Sequence, residues 1–349
     1  MVTRPLLLAP LVALAAACAP TFDDRAASID GPRLLAISST PAEAAPMSAV
    51  SFTALYVDEK GERAGKDLAW AFCIDRKPLT DEGTVSPLCT AASGAGLVQL
   101  GDGLTSGGAL PADGCELFGP NRPTPVGDQP GGRAVDPDAS GGFYQPVRLR
   151  IDGPEVQTPI TAIGATRIDC GVDGATPEVA AELTERYRLN ENPAVTAFHV
   201  LRGSASTAVA IGEAIHVKAG EKVTLRAGYP ACPTTSQCGD GVCGVDETAE
   251  HCPSDCTTPK GCQGAEQYAW YDPETRAVKL RREAVRVAWF STGGSLASDT
   301  TGHTEAEADE TSVDNDFTAP KDAGAYHLWL VSRDDRGGVG FVGFELIVD

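Results

Sequence analysis

Cysteine carries the clearest chemical signal in this chain, because most of its cysteines lie in one short stretch. Six of the eleven fall between positions 232 and 262: Cys232, Cys238, Cys243, Cys252, Cys256 and Cys262. The stretch has little apolar sequence for a core of its own, and such small segments are held by disulfides in oxidising compartments. Six cysteines allow fifteen pairings, so the connectivity stays open.

Acidic side chains within the same stretch predict a second kind of chemistry, the binding of calcium as a cofactor. The candidate ligands are the carboxylates of Asp240, Asp246, Glu247 and Asp255 and the carbonyl group of Val242. Hard cations prefer such oxygens, although the spacing differs from that of an EF-hand loop. Zinc held by four cysteines is an alternative, but paired Cys-x-x-Cys motifs are missing. The simplest interpretation is a disulfide staple whose acids form turns or face solvent.

Three aromatic residues follow the cysteine-rich stretch and are the candidate ligand-binding residues. Tyr268, Trp270 and Tyr271 lie within four consecutive positions. Exposed aromatic rings in this arrangement could stack on the sugar rings of a glycan, whereas buried rings would pack against the protein core. Both interpretations stay open.

Sequence signatures of enzymes are not found. The chain contains no Gly-x-Ser-x-Gly, no His-Glu-x-x-His and no phosphate-binding loop, and its five histidines are scattered. We therefore predict a protein that is not an enzyme, with no catalytic residues. A secreted hydrolase with an unrecognised site is the alternative, since a catalytic triad need not be local in sequence.

The elements that must position these residues are predicted to be β-strands. Aromatic residues make up only 6% of the chain, and it contains 38 Gly and 25 Pro, which suits loop-rich β structure. The formal net charge of -20 repels phosphate backbones, so nucleic acid is excluded as a partner.

The N-terminus predicts export and attachment to a membrane. An apolar run after Arg4 ends at Ala15-Ala16-Ala17-Cys18, which resembles the lipobox of bacterial lipoproteins, where the cysteine is lipidated. Lipidation of Cys18 would leave an even number of cysteines for disulfides. No aspartate follows Cys18, which favours the outer membrane. Ordinary cleavage after Ala17, giving a secreted protein, is the alternative.

Period-two hydrophobic patterns divide the rest of the chain into two sandwich domains. The predicted organisation is a signal peptide at 1–18, a tether at 19–31, a first domain at 32–170 with a long Gly/Pro-rich loop at 90–142, a helical linker at 171–192, and a second domain at 193–349 with the cysteine-rich insert at 232–262. Four further cysteines are disulfide candidates in the first domain: Cys73, Cys89, Cys115 and Cys170. Thr176-Pro177 predicts the start of the linker helix.

The second domain repeats the strand pattern of the first. In each copy two strands are followed by a third that carries tryptophan, Trp70 in the first and Trp289 in the second. At the C-terminal end, two alternating runs around a glycine turn predict a hairpin that begins Asp322-Ala-Gly324-Ala-Tyr326. Pro146 within the run 143–151 predicts a strand at a sheet edge.

These motifs resemble known families of exported bacterial proteins. The tyrosine pattern at Tyr326 is similar to the tyrosine corner of immunoglobulin-like and PKD-like domains, in which the tyrosine hydroxyl bonds to the backbone. The stretch Cys238–Cys256 resembles the CGDGxC…CPxDC repeats of secreted myxobacterial-type proteins. The resemblance implies an all-β surface lipoprotein of two immunoglobulin-like β-sandwich domains, with one short connecting helix and a small disulfide-rich insert.

The expected function is that of a binding or structural module at the outer membrane or cell surface. Its partners would be the membrane, through the N-terminal lipid, and an envelope protein or a glycan. Fold alone does not define an activity, so this expectation depends on location and loop structure.

Overall fold

The protein is all-β, as predicted. A computed structural model describes residues 26–77, 85–121, 137–153, 156, 158–232, 237–256, 261–307 and 309–349. Cys18 and the predicted signal peptide lie outside these residues, so the lipobox stays a prediction. Within the described ranges, no helix is long and apolar enough to cross a bilayer.

The first half of the chain forms two sheets that pack face to face. Its elements are β1 (Arg33–Thr40), β2 (Glu43–Ala44), β3 (Ala49–Asp58), β4 (Gly61–Glu62), β5 (Leu68–Cys73), α1 (Pro87–Thr90), β6 (Leu97–Asp102), β7 (Thr105–Ala109), α2 (Gly114–Leu117), β8 (Phe143–Ile151) and β9 (Ile160–Ile168). One sheet joins β1, β3 and β4, with β7 on β3; the other has the order β2-β9-β8-β5-β6. Alternate residues point between the sheets and form a core around Phe52, Trp70 and Phe72.

The predicted loop 90–142 is wrong in part, because β6, β7 and α2 lie within it. The glycines that suggested a loop instead allow β7 to approach β3 closely. A Cβ atom at Gly107 would lie 2.6 Å from the carbonyl oxygen of Val50, so only glycine fits there. Residues 122–136 of the loop lie outside the described residues.

The prediction of an edge position for Pro146 is also wrong. The strand that contains it, β8, is central and pairs with both β5 and β9. The missing backbone donor is replaced by a side chain, since Gln145 Nε2 donates to the carbonyl of Cys73 at 2.6 Å. A buried amide side chain thus satisfies the acceptor that proline leaves open.

The second half has the same two-sheet design with additions. Its elements are α3 (Pro177–Arg186), β10 (Ala197–Arg202), β11 (Ala205–Val209), β12 (Ile215–Val217), β13 (Lys222–Gly228), α4 (Pro253–Cys256), β14 (Gln267–Asp272), β15 (Ala277–Arg282), β16 (Arg286–Ser291), β17 (Ser295–Leu296), β18 (Thr300–Gly302), a 3-10 turn (Glu305–Glu307), β19 (Ser312–Thr318), β20 (Gly324–Arg333) and β21 (Val339–Val348). The sheet orders are β11-β10-β13-β19-β17 and β12-β21-β20-β16-β18, and β14 pairs with β15 in a separate hairpin.

Strand order confirms the internal repeat. The order β2-β9-β8-β5 in the first sandwich matches β12-β21-β20-β16 in the second, and the first pair of each series is parallel. Trp70 and Trp289 lie on corresponding strands, fully buried, with their indole N–H groups donating to the Gly103 carbonyl and to Thr301 Oγ1. The predicted tyrosine corner is confirmed as well, since the Tyr326 hydroxyl donates to the Asp322 carbonyl at 3.2 Å.

The two sandwiches meet at an apolar joint that also receives the N-terminal segment. Residues buried there come from both halves: Ile29, Leu35, Ala36, Leu55, Val57, Trp329 and Val331. Ser28 pairs with Ser291 of β16, and the Ile29 amide donates to the Ser291 carbonyl at 2.9 Å. Residues 26–31 therefore belong to the folded protein, in contrast to the predicted tether of 19–31.

All ten cysteines in the described part of the chain are paired. The disulfides are Cys73–Cys89, Cys115–Cys170, Cys232–Cys262, Cys238–Cys252 and Cys243–Cys256. The last three define the knot, residues 232–262. Because these sulfurs are bonded to one another, they offer no thiolates, and the zinc alternative is not supported.

Candidate functional site

The predicted aromatic residues separate into two environments on β14. Tyr268 is 0% exposed, and its ring stacks against the guanidinium of Arg336, 4.7 Å from Cζ to the ring centroid. Trp270 and Tyr271 are only partly buried and line a cleft. Tyr268 is therefore a structural residue, because its buried ring offers no surface to a ligand. Ligand binding stays a prediction for Trp270 and Tyr271 alone.

The cleft has a volume of about 1110 Å³ and lies between the first sandwich and the β14–β15 hairpin. One wall is the loop 137–143, and a second is the segment 167–173 at the end of β9. The face of α3 that carries Ala180, Leu183 and Thr184 and the segment 270–274 at the end of β14 close the remaining sides. Clefts where two structural units meet are the usual places for ligand sites.

A single aspartate fixes the loop wall. Asp138 Oδ1 accepts hydrogen bonds from the backbone amides of Ser140 at 2.9 Å and Gly142 at 2.8 Å. Its other oxygen accepts a short hydrogen bond from the Tyr144 hydroxyl. Burial raises the pKa of Tyr144 above its usual range, which keeps this hydroxyl protonated as a donor.

The floor of the cleft is an arginine held by partners from distant parts of the chain. Arg167 Nε lies 3.3 Å from Glu43 Oε1 and 3.1 Å from the Tyr187 hydroxyl, and its Nη1 donates to Ser140 Oγ at 2.6 Å. The ion pair is almost fully buried. A Cβ atom at Gly142 would lie 2.1 Å from Arg167 Nη1, so the guanidinium needs glycine there.

Glu43 connects this floor to the linker after α3. Besides Arg167, it accepts hydrogen bonds from the Tyr187 hydroxyl at 2.5 Å and from the Asn190 amide at 2.9 Å. Burial raises the pKa of Tyr187 above its usual range, so the hydroxyl stays a donor. Three donors compensate the buried negative charge of Glu43. The side chains at the floor of the cleft are accordingly held in one arrangement.

Two hydrogen bonds cross from the hairpin to the first sandwich and its linker. The Tyr271 hydroxyl donates to the Gly174 carbonyl at 3.1 Å, and Arg281 Nη1 donates to the Ala139 carbonyl at 2.7 Å. The Arg281 guanidinium also lies 5.4 Å from the Trp270 ring centroid. The hairpin is thereby held at a set distance from the loop wall.

Acidic groups dominate the charge of the cleft. Its lining carboxylates are Glu43, Asp138, Asp169, Asp173, Asp272 and Glu274, against one lining cation, Arg167. Lys279, outside the lining, pairs with Asp272, and the hydrogen bond to this ammonium group holds the pKa of Asp272 below its usual range.

The chemical groups of the cleft are arranged for hydrogen bonding. Among the described residues that line it, none is a histidine. The Ser140 hydroxyl donates to Asp138 and accepts from Arg167, so its oxygen is already engaged. This arrangement offers fixed polar groups and aromatic faces to a ligand.

The predicted calcium ligands do not converge in the knot. Asp240 Oδ1 accepts from the Val242 amide at 2.9 Å, and Glu247 Oε2 from the Gly244 amide at 2.8 Å. Asp255 accepts from the Gly239 amide, and Asp246 lies 3.4 Å from an Arg186 nitrogen. In the described residues, the one metal-like grouping is Cys238, Glu247 and Cys252, whose sulfurs are joined as a disulfide. Calcium binding stays a prediction that this geometry does not support.

Arginines that the sequence analysis did not identify hold the knot and the hairpin in place. Arg188 donates to the knot carbonyls of Cys243 at 3.0 Å and Gly244 at 2.8 Å, and to that of Glu247. Arg336, fully buried, lies between Glu266 and Glu283 and donates to the Arg188 carbonyl at 2.9 Å. No local pattern marks these roles, because the knot and hairpin partners lie far away in sequence.

Comparisons with known proteins give no family. No family model matches the chain, and no curated protein matches it. Among solved structures, the adhesin InvE of Yersinia pseudotuberculosis aligns over 90% of this chain and 60% of its own, with 11% identity and a TM-score of 0.19. The C-terminal domain of the Streptococcus pyogenes antigen I/II-family protein AspA aligns over 91% of this chain and 99% of its own, with 10% identity and a TM-score of 0.20. Likenesses this weak carry no argument about function.

Proposed function

We propose that the protein is a non-catalytic binding module of the bacterial cell envelope and that its ligand binds in the cleft beside Trp270. The observation that carries this proposal is the cleft itself, about 1110 Å³ in volume, with a floor of compensated buried charges. A preformed site of this kind binds a ligand without the entropic cost of ordering it. The disulfides support a location outside the cytoplasm.

Blocking the cleft tests the proposal. Thr184 is an exposed residue of α3 that lines the cleft, and Thr184→Trp would fill part of its volume. Ala181→Trp, on the same helix but outside the lining, is the matched control. The full-length protein would be screened by ligand-observed NMR against short peptides of varied charge and neutral oligosaccharides.

Probes that bind the wild type and Ala181→Trp but not Thr184→Trp support binding in the cleft. If every bound probe also binds Thr184→Trp, or if no probe binds the wild type, the cleft is not the ligand site and the proposal is wrong.

Glycan binding is the second candidate function, and the position of Trp270 and Tyr271 on the cleft wall favours it. Aromatic side chains on a wall of a polar cleft offer apolar faces beside hydrogen-bonding groups. Binding to a neutral oligosaccharide that is lost in Trp270→Ala would support this candidate. Retained binding in that variant would contradict it.

Lipid attachment at Cys18 would place the module on the outer membrane. The even number of paired cysteines after Cys18 supports this placement, since no thiol partner is left for that residue in the described part of the chain. Cys18→Ser should release the protein into the soluble fraction. Retention of the variant in the membrane fraction would argue against a lipid anchor.

A further inference from the structure

We propose that two copies of the protein associate through β11, which pairs antiparallel with β11 of the second copy and joins their sheets into one continuous sheet. Three features of the second sandwich support this interface: the free backbone groups of β11, the lack of charge along it, and a covered edge at the corresponding place in the first sandwich. The inference goes beyond the proposed function and does not depend on the cleft.

Free backbone groups are the first feature. The strand β11 is the outer strand of its sheet, and within the part of the chain that the structure describes no strand pairs with its other side. A two-residue turn joins β10 to β11, so the Arg202–Ala205 pair next to it is a hydrogen-bonded pair. By alternation, the backbone groups of Ser206 and Ala208 point away from β10. These groups are donors and acceptors for a further strand.

The lack of protection along this edge is the second feature. The other outer strands of the second sandwich, β12, β17 and β18, have only two or three residues, whereas β11 has five. Although 22% of the chain is charged, residues 203–212 contain neither a charged residue nor a proline. Soluble proteins prevent pairing at their sheet edges with charges, prolines or very short strands. None of these devices is present at β11.

The internal repeat indicates what covers the edge. In both sandwiches the first two long strands are antiparallel neighbours, β1 with β3 and β10 with β13. The side of β1 away from β3 is covered by the second sandwich, since Ser38 Oγ donates to the Val339 carbonyl at 2.5 Å. Arg333 Nη2 also donates to the Leu35 carbonyl at 3.1 Å. The corresponding side of β10 carries β11, so we expect a sandwich of the same design there, from a second copy.

A two-fold axis at Thr207 satisfies the free groups of both copies. In this register Ser206 lies opposite Ala208 of the second copy, and both residues have outward backbone groups, so they form hydrogen-bonded pairs. The side chains that meet are small and uncharged, with Thr207 beside Thr207 and Ala205 beside Val209. Each copy carries a net charge of -20, so association should strengthen as salt screens the repulsion.

Cysteine cross-linking tests the register in the Cys18→Ser protein, where an introduced cysteine is the one thiol without a disulfide partner. Across the axis, the Cα atoms of Thr207→Cys would lie about 4.5 Å apart, within the range of a disulfide. Ser206→Cys is the matched control, since both positions are exposed. Its two Cα atoms would lie more than about 7 Å apart. Under mild oxidation we expect about tenfold more covalent dimer from Thr207→Cys than from Ser206→Cys.

A lysine at the axis tests the interface without a cross-link. Thr207→Lys places two like charges opposite each other and should weaken the dimer at least about tenfold, measured by sedimentation equilibrium over a wide concentration range. Ala181→Lys, at an exposed position on α3, adds the same charge elsewhere and should leave the dimer unchanged. Both variants should keep the melting temperature of the monomer, since the substituted side chains are exposed.

The opposite results overturn the proposal. A protein that stays monomeric at every concentration and salt, with no covalent dimer from Thr207→Cys, does not associate through β11. Equal cross-linking of Thr207→Cys and Ser206→Cys would show random collisions. A dimer that persists in Thr207→Lys would assign self-association to another surface. Ligand binding in the cleft is independent of all these results, because β11 is not part of its lining.

Discussion

The hydroxyl group of Tyr271 donates a hydrogen bond to the carbonyl oxygen of Gly174, 3.1 Å away, and so connects the β14–β15 hairpin to the segment before α3. The two residues are far apart in sequence; Tyr271 lines the cleft, and Gly174 directly follows the lining segment 167–173. Together with the bond from Arg281 to the Ala139 carbonyl, this contact sets the width of the opening.

Tyr271→Phe removes this bond and keeps the aromatic ring. We expect a loss of stability of about 1 kcal/mol or less, because the bond is exposed, and faster hydrogen exchange in residues 172–175. Tyr326→Phe is the control, since it removes a comparable hydroxyl-to-carbonyl bond from the tyrosine corner. Unchanged exchange at 172–175 in Tyr271→Phe would show that the contact does not set the opening.

Arg188→Lys should loosen the knot from the linker. A lysine ammonium cannot reproduce the planar set of donors that reaches the carbonyls of Cys243, Gly244 and Glu247. We expect a loss of about 2–4 kcal/mol, because buried carbonyls lose their donors, and faster exchange in residues 243–247. Arg226→Lys, in a surface pair with Asp314 away from the knot, should cost less than about 1 kcal/mol in the same denaturation experiment. Equal effects of the two changes would refute this role of Arg188.

Removing one disulfide of the knot should unfold the knot and leave both β-sandwiches folded. Cys243→Ser with Cys256→Ser opens a loop with a sequence separation of 13, which predicts a local loss of about 3 kcal/mol. Limited proteolysis should then cut the knot, while the near-ultraviolet spectrum of the buried tryptophans stays unchanged. A collapse of that spectrum would mean that the second sandwich depends on the knot.

Stability should rise as the pH falls from 7 to about 5. Burial raises the pKa of Asp334 from 3.8 to about 6, and burial also raises the pKa of Glu283. A carboxyl with a raised pKa binds its proton more tightly in the folded state, so the folded state gains stability as the pH falls through 6 towards 3.8. The gain from Asp334 over this whole window is on the order of 3 kcal/mol. Below that window, groups with lowered pKa values such as Asp272 reverse the trend.

Asp334→Asn isolates this contribution. The amide oxygen can still accept the hydrogen bonds from the Arg336 and Gly338 backbone amides, both of which are accepted by Asp334 Oδ1 in the wild type. Melting temperatures between pH 4.5 and 7 should therefore depend less on pH in the variant. The same slope in both proteins would assign the effect to other groups, such as Glu283.

Local patterns predicted the strands and the repeat, because alternation and turn residues are encoded in neighbouring positions. The start of α3 is an example, since Thr176 Oγ1 accepts from the Val179 amide at 3.4 Å as the capping motif implies. Pro146 was misplaced because its compensation by Gln145 depends on a partner on another strand. A sequence pattern does not report which strand lies next to it.

The cleft was only partly predictable for the same reason. Trp270 and Tyr271 stood out as neighbouring aromatic residues, but Glu43 and Arg167 are 124 positions apart and neither lies in a motif. The hairpin that carries the aromatic residues was also not predicted as a separate sheet. Sites assembled from several elements become visible only once the packing of those elements is known.

The pairing of Ser28 with Ser291 determines where the chain enters the folded protein. Entry is at the joint between the sandwiches, not at the outer end of either one. Seven residues separate Cys18 from Ala26, a reach of at most about 25 Å when extended. A lipid on Cys18, as proposed, would hold this joint within that distance of the bilayer, and a pull on the anchor would reach both sandwiches at the joint instead of passing through one to reach the other.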